Sequence, residues 1–278
     1  DRGTAQIATG EHKRRYGVQT VHGCHEAVRA DSLLYPAGDN RDHRRTCVHE
    51  HGIRPDRVLE PSAGVGAFVD AVLENRPDAD IMAFEKDLMT GKILEHLHPG
   101  QKVRVQGFEK IEKPFMNHFD LAISNIPFGD VAVFDPEFSG SKDPARHLAA
   151  RTIHNYFFLK SLDTVREGGI VAFITSQGVL DAPANAPIRE YMMSHANLVG
   201  VARLPNNLFT DNAGTEVGSD LIVLQKNTRK SELTEKERNL LKPVLYRAVS
   251  ISTTAMPIWT ISSILPYPWV KHVRTTGH

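Results

Sequence analysis

The sequence has little cysteine and no excess of either charge. Two cysteines, Cys24 and Cys47, occur in 278 residues, which excludes a disulfide framework and a zinc site built from cysteines. So few cysteines favour a reducing, cytoplasmic compartment. Lysine and arginine together number 33, as do aspartate and glutamate. This balance argues against a basic surface that grips nucleic acid by charge alone.

Long apolar runs are also missing. The longest runs, such as 170–174, are far shorter than a membrane span, and the apolar stretch 256–270 contains three prolines. The first residues do not resemble a signal peptide. The chain begins at Asp1 rather than at a methionine, so we expect a longer parent polypeptide. No membrane partner is expected.

Three regions follow one another along the chain. Residues 1–56 are rich in histidine and arginine without sustained periodicity, which predicts an irregular segment. Their histidine spacing matches no compact metal site, so no metal is expected. Residues 57–227 alternate apolar runs of strand length with segments of helix length. Residues 228–278 begin with a helix that opens at a capping box on Thr234 and continue as an irregular tail.

The alternating pattern of the middle region predicts an α/β fold. A mostly parallel sheet covered by helices on both faces is the architecture typical of such alternation. Strands are predicted at 58–59, 81–84, 103–106, 121–124, 170–175, 198–202 and 221–225. Helices are predicted at 67–74, 88–97, 153–164 and 188–195.

A glycine-rich turn, Glu-Pro-Ser-Ala-Gly-Val-Gly at 60–66, follows the first predicted strand. Such a turn aims backbone N–H groups and a positive helix end at a polar ligand. Val69 stands where a dinucleotide site has its third glycine, and the Gly-Lys-Ser/Thr of a P-loop is missing. Glu85, at the end of the second predicted strand, can accept hydrogen bonds from both ribose hydroxyls. The combination favours a nucleoside cofactor such as S-adenosylmethionine, and a tight structural corner is the alternative.

The tetrapeptide Asn125, Ile126, Pro127 and Phe128 follows the fourth predicted strand. Turn formation is one interpretation, because these residue types favour turns. The other interpretation is a catalytic role. The amine of adenine is a poor nucleophile, and two fixed oxygens that accept its N–H protons would draw the nitrogen toward tetrahedral geometry. Asn125 and the Ile126 carbonyl offer such oxygens, and Pro127 restricts Ile126 to an extended conformation. Phe128 offers a flat face to a base.

The segments 60–68, 84–87 and 125–128, in this order, resemble the motifs of S-adenosylmethionine-dependent N6-adenine DNA methyltransferases of the gamma group. Residues 57–227 are also similar to the methylase portion of helicase-associated polypeptides of phages and conjugative elements. The resemblance implies a Rossmann-like class I methyltransferase with S-adenosylmethionine as cofactor. It implies methylation of a flipped adenine in DNA, as in restriction-modification. A helicase or target-recognition domain is an implied partner, because little more than 50 residues follow Lys226.

The resemblance also assigns roles to individual residues. The implied catalytic residues are Asn125, Ile126, Pro127 and Phe128. The implied cofactor-binding residues are Glu60, Pro61, Ser62, Gly64, Gly66, Glu85 and Phe108. Phe108 would pack on the cofactor adenine and Phe209 on the flipped base, with core packing as the alternative for both. Arg203 is a candidate substrate-binding residue because of its place at the ligand-binding edge. Its guanidinium would contact either a nucleic-acid phosphate or a neighbouring carboxylate.

Three positions depart from the family pattern. Ile126 stands where the tetrapeptide usually has its first proline, and Gly107 stands where an acid is expected to contact the cofactor adenine. The upstream aromatic motif is matched only by Tyr35 and Pro36. Two alternatives remain open, the first because similar tetrapeptides serve enzymes with other acceptors and the second because of these departures. One is methylation of an RNA guanine amine or a protein glutamine amide, and the other is a nonproductive remnant that binds DNA or a helicase.

Overall fold

Seven strands form one sheet in residues 55–204 and 218–242, the part of the chain that the computed structural model describes. The strands are β1 (Arg57–Glu60), β2 (Asp80–Glu85), β3 (Lys102–Val105), β4 (Phe119–Asn125), β5 (Val165–Ser176), β6 (Ala196–Leu204) and β7 (Ser219–Lys226). Their order is β3-β2-β1-β4-β5-β7-β6. β7 runs antiparallel to β5 and β6, and the other adjacent pairs are parallel. The predicted mostly parallel sheet is confirmed.

Helices connect the strands and bury both faces of the sheet. They are α1 (Ala67–Asn75), α2 (Leu88–Leu97), α3 (Pro136–Ser139), α4 (Pro144–Ala149), α5 (Ile153–Thr164), α6 (Gly178–Asp181), α7 (Ala186–His195) and α8 (Glu235–Leu241). The neighbouring β1 residues Val58 and Leu59 are fully buried in two different hydrophobic clusters. Because successive strand residues point to opposite faces, each face of the sheet has its own core.

β5 is longer than its apolar run indicates. It begins at Val165, which pairs with Phe119, and the β4–β5 register shifts before Leu121 pairs with Ile170. Gly168 takes a φ of 75° in this irregular part, a conformation that favours glycine. The sequence signal starts only at Ile170, because the four residues before it, 166–169, are polar or glycine.

The helix predicted after Thr234 is present and packs on the sheet. The Thr234 N–H donates to Glu237 at 2.8 Å and the Glu237 N–H donates to the Thr234 hydroxyl at 3.3 Å, so the capping box forms. Glu237 also accepts a hydrogen bond from the Leu198 N–H at 2.8 Å, which ties α8 to β6. The boundaries predicted at 57 and 227 stay predictions, and almost all of 1–56 lies outside the described residues.

No helix within 55–204 or 218–242 combines the length and apolar character needed to cross a membrane.

Candidate active site

The turn after β1 and the tetrapeptide after β4 lie side by side at one edge of the sheet. β1 pairs in parallel with both β2 and β4, so the carboxyl ends of these three strands meet at that edge. Ser124, near the end of β4, donates a hydrogen bond through its hydroxyl to the Ser62 carbonyl oxygen at 3.5 Å. This contact joins the two segments that the sequence singled out.

Two glycines of the turn adopt conformations that other residues rarely take. The φ angle is 56° at Gly64 and 102° at Gly66, both in the left-handed region that favours glycine. A Cβ at Gly66 would also lie against the His98 ring and 2.8 Å from the Leu94 side chain. Gly66 therefore allows the start of α1 to approach the end of α2 closely.

Glu85 closes β2, and backbone N–H groups hold its carboxylate in place. The Gly64 N–H donates to one oxygen at 2.9 Å and the Asp87 N–H donates to the other at 2.7 Å. Each carboxylate oxygen has a second lone pair. Glu85 is therefore oriented by the turn itself and keeps the capacity to accept hydrogen bonds from a pair of ligand hydroxyls.

Glu60, the last residue of β1, is a buried acid at the same edge. It is 1 % exposed, and neither carboxyl oxygen makes a hydrogen bond of good geometry. Burial raises the pKa of Glu60 well above its ordinary value and the neighbouring Glu85 adds to the rise, although weak hydrogen bonding from Ser124 and the Ser62 backbone opposes it. A buried carboxyl that is so weakly bonded fits a cationic ligand group, such as the ammonium of an amino acid, that would complete its interactions.

Replacement of Glu60 by glutamine is expected to stabilise the ligand-free protein at high pH. The folded-state pKa is raised, so the contribution of this carboxyl to stability is present below its unfolded value and is lost as the pH rises through the folded value. Glu60→Gln, an uncharged isostere, should therefore match the parent near pH 4 and exceed its Tm by a few degrees at pH 8. Thermal unfolding followed by circular dichroism from pH 4 to 9 measures this, with the exposed Glu74→Gln as control. A difference independent of pH would contradict the expectation.

The tetrapeptide begins at the end of β4 and is anchored through its second residue. The Ile126 N–H donates to the Ile174 carbonyl at 3.1 Å, and the Ile126 side chain is 1 % exposed in the core. These contacts, together with Pro127, fix the main chain at the position where the family usually has a proline. The side chains of Asn125, Pro127 and Phe128 remain partly exposed at the edge.

The loop after the tetrapeptide is held by a buried histidine. The Gly129 N–H donates to Nδ1 of His154 at 3.5 Å, and Gly129 has a φ of 133°. Burial lowers the pKa of His154, so its ring is neutral near pH 7 and can accept this hydrogen bond. His154 therefore supports the loop.

Sequence comparison assigns the chain to a family. The model of the N-6 DNA Methylase family matches residues 96–241, more than half of the chain. The chain belongs to this family. Type II methyltransferase M.XamI of Xanthomonas campestris pv. amaranthicola is 28% identical over 192 residues, 64% of this chain and 35% of that protein. Type II methyltransferase M.AccI of Acinetobacter calcoaceticus is 24% identical over 162 residues, 55% of this chain and 30% of that protein. The chain thus spans about a third of the length of these relatives.

Solved structures support the fold of this N-6 DNA methylase family member. A Listeria monocytogenes protein assigned to the class I S-adenosylmethionine-dependent methyltransferases matches with a TM-score of 0.53 and 16% identity, over 75% of this chain and 64% of that one. The M protein of the type I restriction enzyme EcoKI matches with a TM-score of 0.51 and 18% identity, over 66% of this chain and 42% of that one. The Rossmann-like class I methyltransferase fold is confirmed.

Three other predicted site residues of the family member differ in their surroundings. Phe108 is 2 % exposed, and its ring centroid lies 5.6 Å from that of Phe84. Its role against the cofactor adenine stays a prediction, while its core packing is observed. The Arg203 guanidinium pairs with Asp220 at 2.9 Å and Asp181 at 2.8 Å, which is the carboxylate contact weighed above. Phe209 lies outside the described residues.

Sequence reasoning missed a buried ion pair beneath the loop that follows the tetrapeptide. Lys160 of α5 lies 3.0 Å from Asp135, and both side chains are 3 % exposed. The Tyr156 hydroxyl donates to the same carboxylate oxygen at 2.7 Å. Burial acts to raise the pKa of Asp135, but the hydrogen bonds from Tyr156 and Lys160 outweigh it and keep that pKa below its ordinary value. The sequence signal for this ion pair is a lysine, Lys160, within the apolar run of α5.

Proposed function

We propose that this N-6 DNA methylase family member transfers a methyl group from S-adenosylmethionine to the N6 amine of adenine in DNA, with the target base rotated out of the helix. The side-by-side position of the turn after β1 and the tetrapeptide after β4 carries the proposal, because β1 and β4 pair in parallel and the Ser124 hydroxyl lies 3.5 Å from the Ser62 carbonyl oxygen. A methyl donor on the turn and an amine on the tetrapeptide would then meet at close range. Membership of the family supports adenine as the acceptor.

The residues of the turn fit the proposed cofactor. S-adenosylmethionine supplies an electrophilic methyl group on a sulfonium. Glu60 would neutralise the ammonium of the methionine part, since its buried carboxyl oxygens make no hydrogen bond of good geometry within the protein. Glu85 would accept hydrogen bonds from the ribose hydroxyls, in the orientation set by the Gly64 N–H. Pro61, Ser62 and Gly66 would shape the turn around the methionine part.

The tetrapeptide would act on the acceptor. The side-chain oxygen of Asn125 and the carbonyl oxygen of Ile126 would accept the two N–H bonds of the amine and direct its lone pair at the methyl group. The new N–C bond would form as the bond from the methyl carbon to sulfur breaks, which leaves S-adenosylhomocysteine, and one of the amine protons then passes to water. Phe128 would stack on the flipped base, and Pro127 would keep the carbonyl in place. No strong general base is required.

We propose that most of the contacts with DNA are made by a partner. This partner is either a target-recognition domain or a helicase, on a longer chain or a separate subunit. The chain carries 33 basic and 33 acidic residues, and it spans 35% of M.XamI. A catalytic unit that holds one flipped base needs few phosphate contacts of its own. A cytoplasmic location fits this proposal and the low cysteine content.

Mass spectrometry of methylated products tests the proposed function. The protein is incubated with S-adenosylmethionine carrying a deuterated methyl group and with DNA, RNA or a protein extract, and the label is then located. Labelled N6-methyladenine in DNA is the expected result. Label found only in RNA guanine or protein glutamine would show that the acceptor is not DNA adenine. If calorimetry detects no binding of S-adenosylmethionine, the protein is a nonproductive remnant.

A further inference from the structure

The loop that follows the tetrapeptide, residues 129–134, presents apolar side chains to solvent. Phe134 is 82 % exposed and Val131 is 57 % exposed. Within residues 55–204 and 218–242, the other large apolar side chains with such exposure all belong to α2. Single exposed apolar side chains are common on protein surfaces, but two of them on one loop beside a candidate active site indicate a contact with another molecule.

Hydrogen bonds hold this loop close to the tetrapeptide. The Gly129 N–H donates to the His154 ring at 3.5 Å, and the Val133 N–H donates to the Ala150 carbonyl at 2.8 Å. These two anchors are four residues apart, which is at most about 14 Å of chain. The loop therefore closes on itself, which brings Phe134 back toward Gly129 and the tetrapeptide.

The residue immediately after the loop completes its support. Asp135 is buried and bonded to both Tyr156 and Lys160. A ring carried by main chain that is fixed in this way loses little conformational freedom when another molecule covers it. The ring of Phe134 is therefore held outward in a position ready for contact.

A basic residue lies between the two anchors of the loop. Arg151 directly follows Ala150 and is exposed. Its guanidinium forms no hydrogen bond or ion pair within the described ranges 55–204 and 218–242. Burial lowers the pKa of His154 and the nearby Asp130, the acid of the loop, opposes this, so that acid lies toward the histidine. An exposed aromatic ring with an arginine beside it suits the bases and phosphates of a nucleic acid.

We propose that Phe134 enters the space that the flipped adenine leaves in a DNA duplex, while Arg151 contacts a phosphate beside it. This inference rests on the proposed function, which supplies the flipped base. A base held on the tetrapeptide places the duplex from which it came over the adjoining loop. Phenylalanine is one of the apolar residues that separate neighbouring base pairs in protein–DNA complexes. Its stacking on the bases at either side would offset the stacking lost when the adenine leaves.

Comparison of two forms of one DNA tests the role of Phe134. Genomic DNA without adenine methylation contains every short recognition sequence, and it is offered to the protein either as duplex or after heat denaturation and rapid cooling. Phe134→Ala should lower the formation of labelled N6-methyladenine in the duplex about tenfold or more, because base–aromatic stacking is lost. On single strands, where no gap opens between base pairs, the rate should stay close to that of the parent.

Two further variants separate this contact from a structural role. Phe134→Tyr keeps the ring and should retain most of the duplex rate. Leu97→Ala, the matched control, removes a side chain that is 56 % exposed at the end of α2, and it should leave both rates unchanged. A loss of folding would lower both rates together, whereas loss of the inserted ring changes their ratio.

The dependence of DNA binding on salt tests Arg151. Fluorescence anisotropy of a labelled duplex oligonucleotide measures the affinity at several salt concentrations without turnover. Arg151→Gln should reduce the slope of log affinity against log salt concentration by about one, the value expected for one phosphate contact. Lys236→Gln, which alters an exposed lysine of α8, should leave the slope unchanged. An unchanged slope in Arg151→Gln would overturn the phosphate contact.

The outcomes distinguish this inference from the proposed function. If the parent protein forms no N6-methyladenine in either form of DNA, the proposed function fails and the role of Phe134 fails with it. If the parent methylates both forms, and Phe134→Ala either matches the parent on the duplex or slows both forms equally, only the role of Phe134 is overturned.

Discussion

Asn125→Ala is expected to abolish measurable methyl transfer to adenine while cofactor binding persists. The substitution removes one of the two oxygens that would hold the N–H bonds of the amine, so the lone pair is no longer directed at the methyl group. Losing one such fixed group costs roughly 10²- to 10³-fold in kcat in other enzymes. Glu60 and Glu85 lie on the other side of the site, on β1 and β2, and should still bind S-adenosylmethionine.

Tritium transfer to adenine-containing DNA and calorimetry with S-adenosylmethionine measure the two effects separately. Asn125→Asp keeps a side-chain oxygen and should retain more activity than Asn125→Ala. Asn75→Ala serves as control, because Asn75 ends α1, where its amide donates to the Ala71 carbonyl at 2.8 Å, away from the carboxyl edge of the strands. Methyl transfer by Asn125→Ala at the rate of the parent would rule out the proposed role.

The fold was predictable from the sequence where the periodicity of apolar residues agreed with the positions of proline and glycine. α2 and α5 occupy 88–97 and 153–164, as their periodicity and the proline and glycine residues nearby predict. The start of β5 was not predictable, because the pairing of Val165 with Phe119 depends on a partner 46 positions earlier in the chain. Tertiary pairing extended this strand through residues without apolar character.

The candidate site was predictable in its main-chain elements and not in its side-chain placement. The rule that ligands bind at the carboxyl ends of parallel strands brings the turn and the tetrapeptide together from sequence alone. Phe108 shows the limit, since burial against Phe84 depends on how β2 and the segment after β3 pack. Such placements are set by packing, which residue spacing does not record.

Asp135→Ala is expected to destabilise the protein by about 3 kcal/mol. The ion pair between Asp135 and Lys160 is buried, and removal of one partner leaves a charge without compensation at a typical cost of about 3–5 kcal/mol. We expect the lower end of that range, because Glu137 stays 3.3 Å from the Lys160 ammonium. The Tyr156 hydroxyl also loses its acceptor, and α3 loses the cap that Asp135 provides to the Glu137 N–H at 2.8 Å. Urea denaturation measures the free energy of unfolding.

A second variant separates the buried charge from simple loss of contacts. Asp135→Leu combined with Lys160→Met removes both charges, and replacing a whole buried ion pair by apolar groups is often close to neutral. The double variant should therefore be more stable than Asp135→Ala, despite carrying more substitutions. Lys92→Ala breaks an exposed pair with Glu95 and should change stability by less than about 1 kcal/mol. A double variant as unstable as Asp135→Ala would show that loss of the cap and of the tyrosine contact, rather than the uncompensated charge of Lys160, destabilises the loop that follows the tetrapeptide.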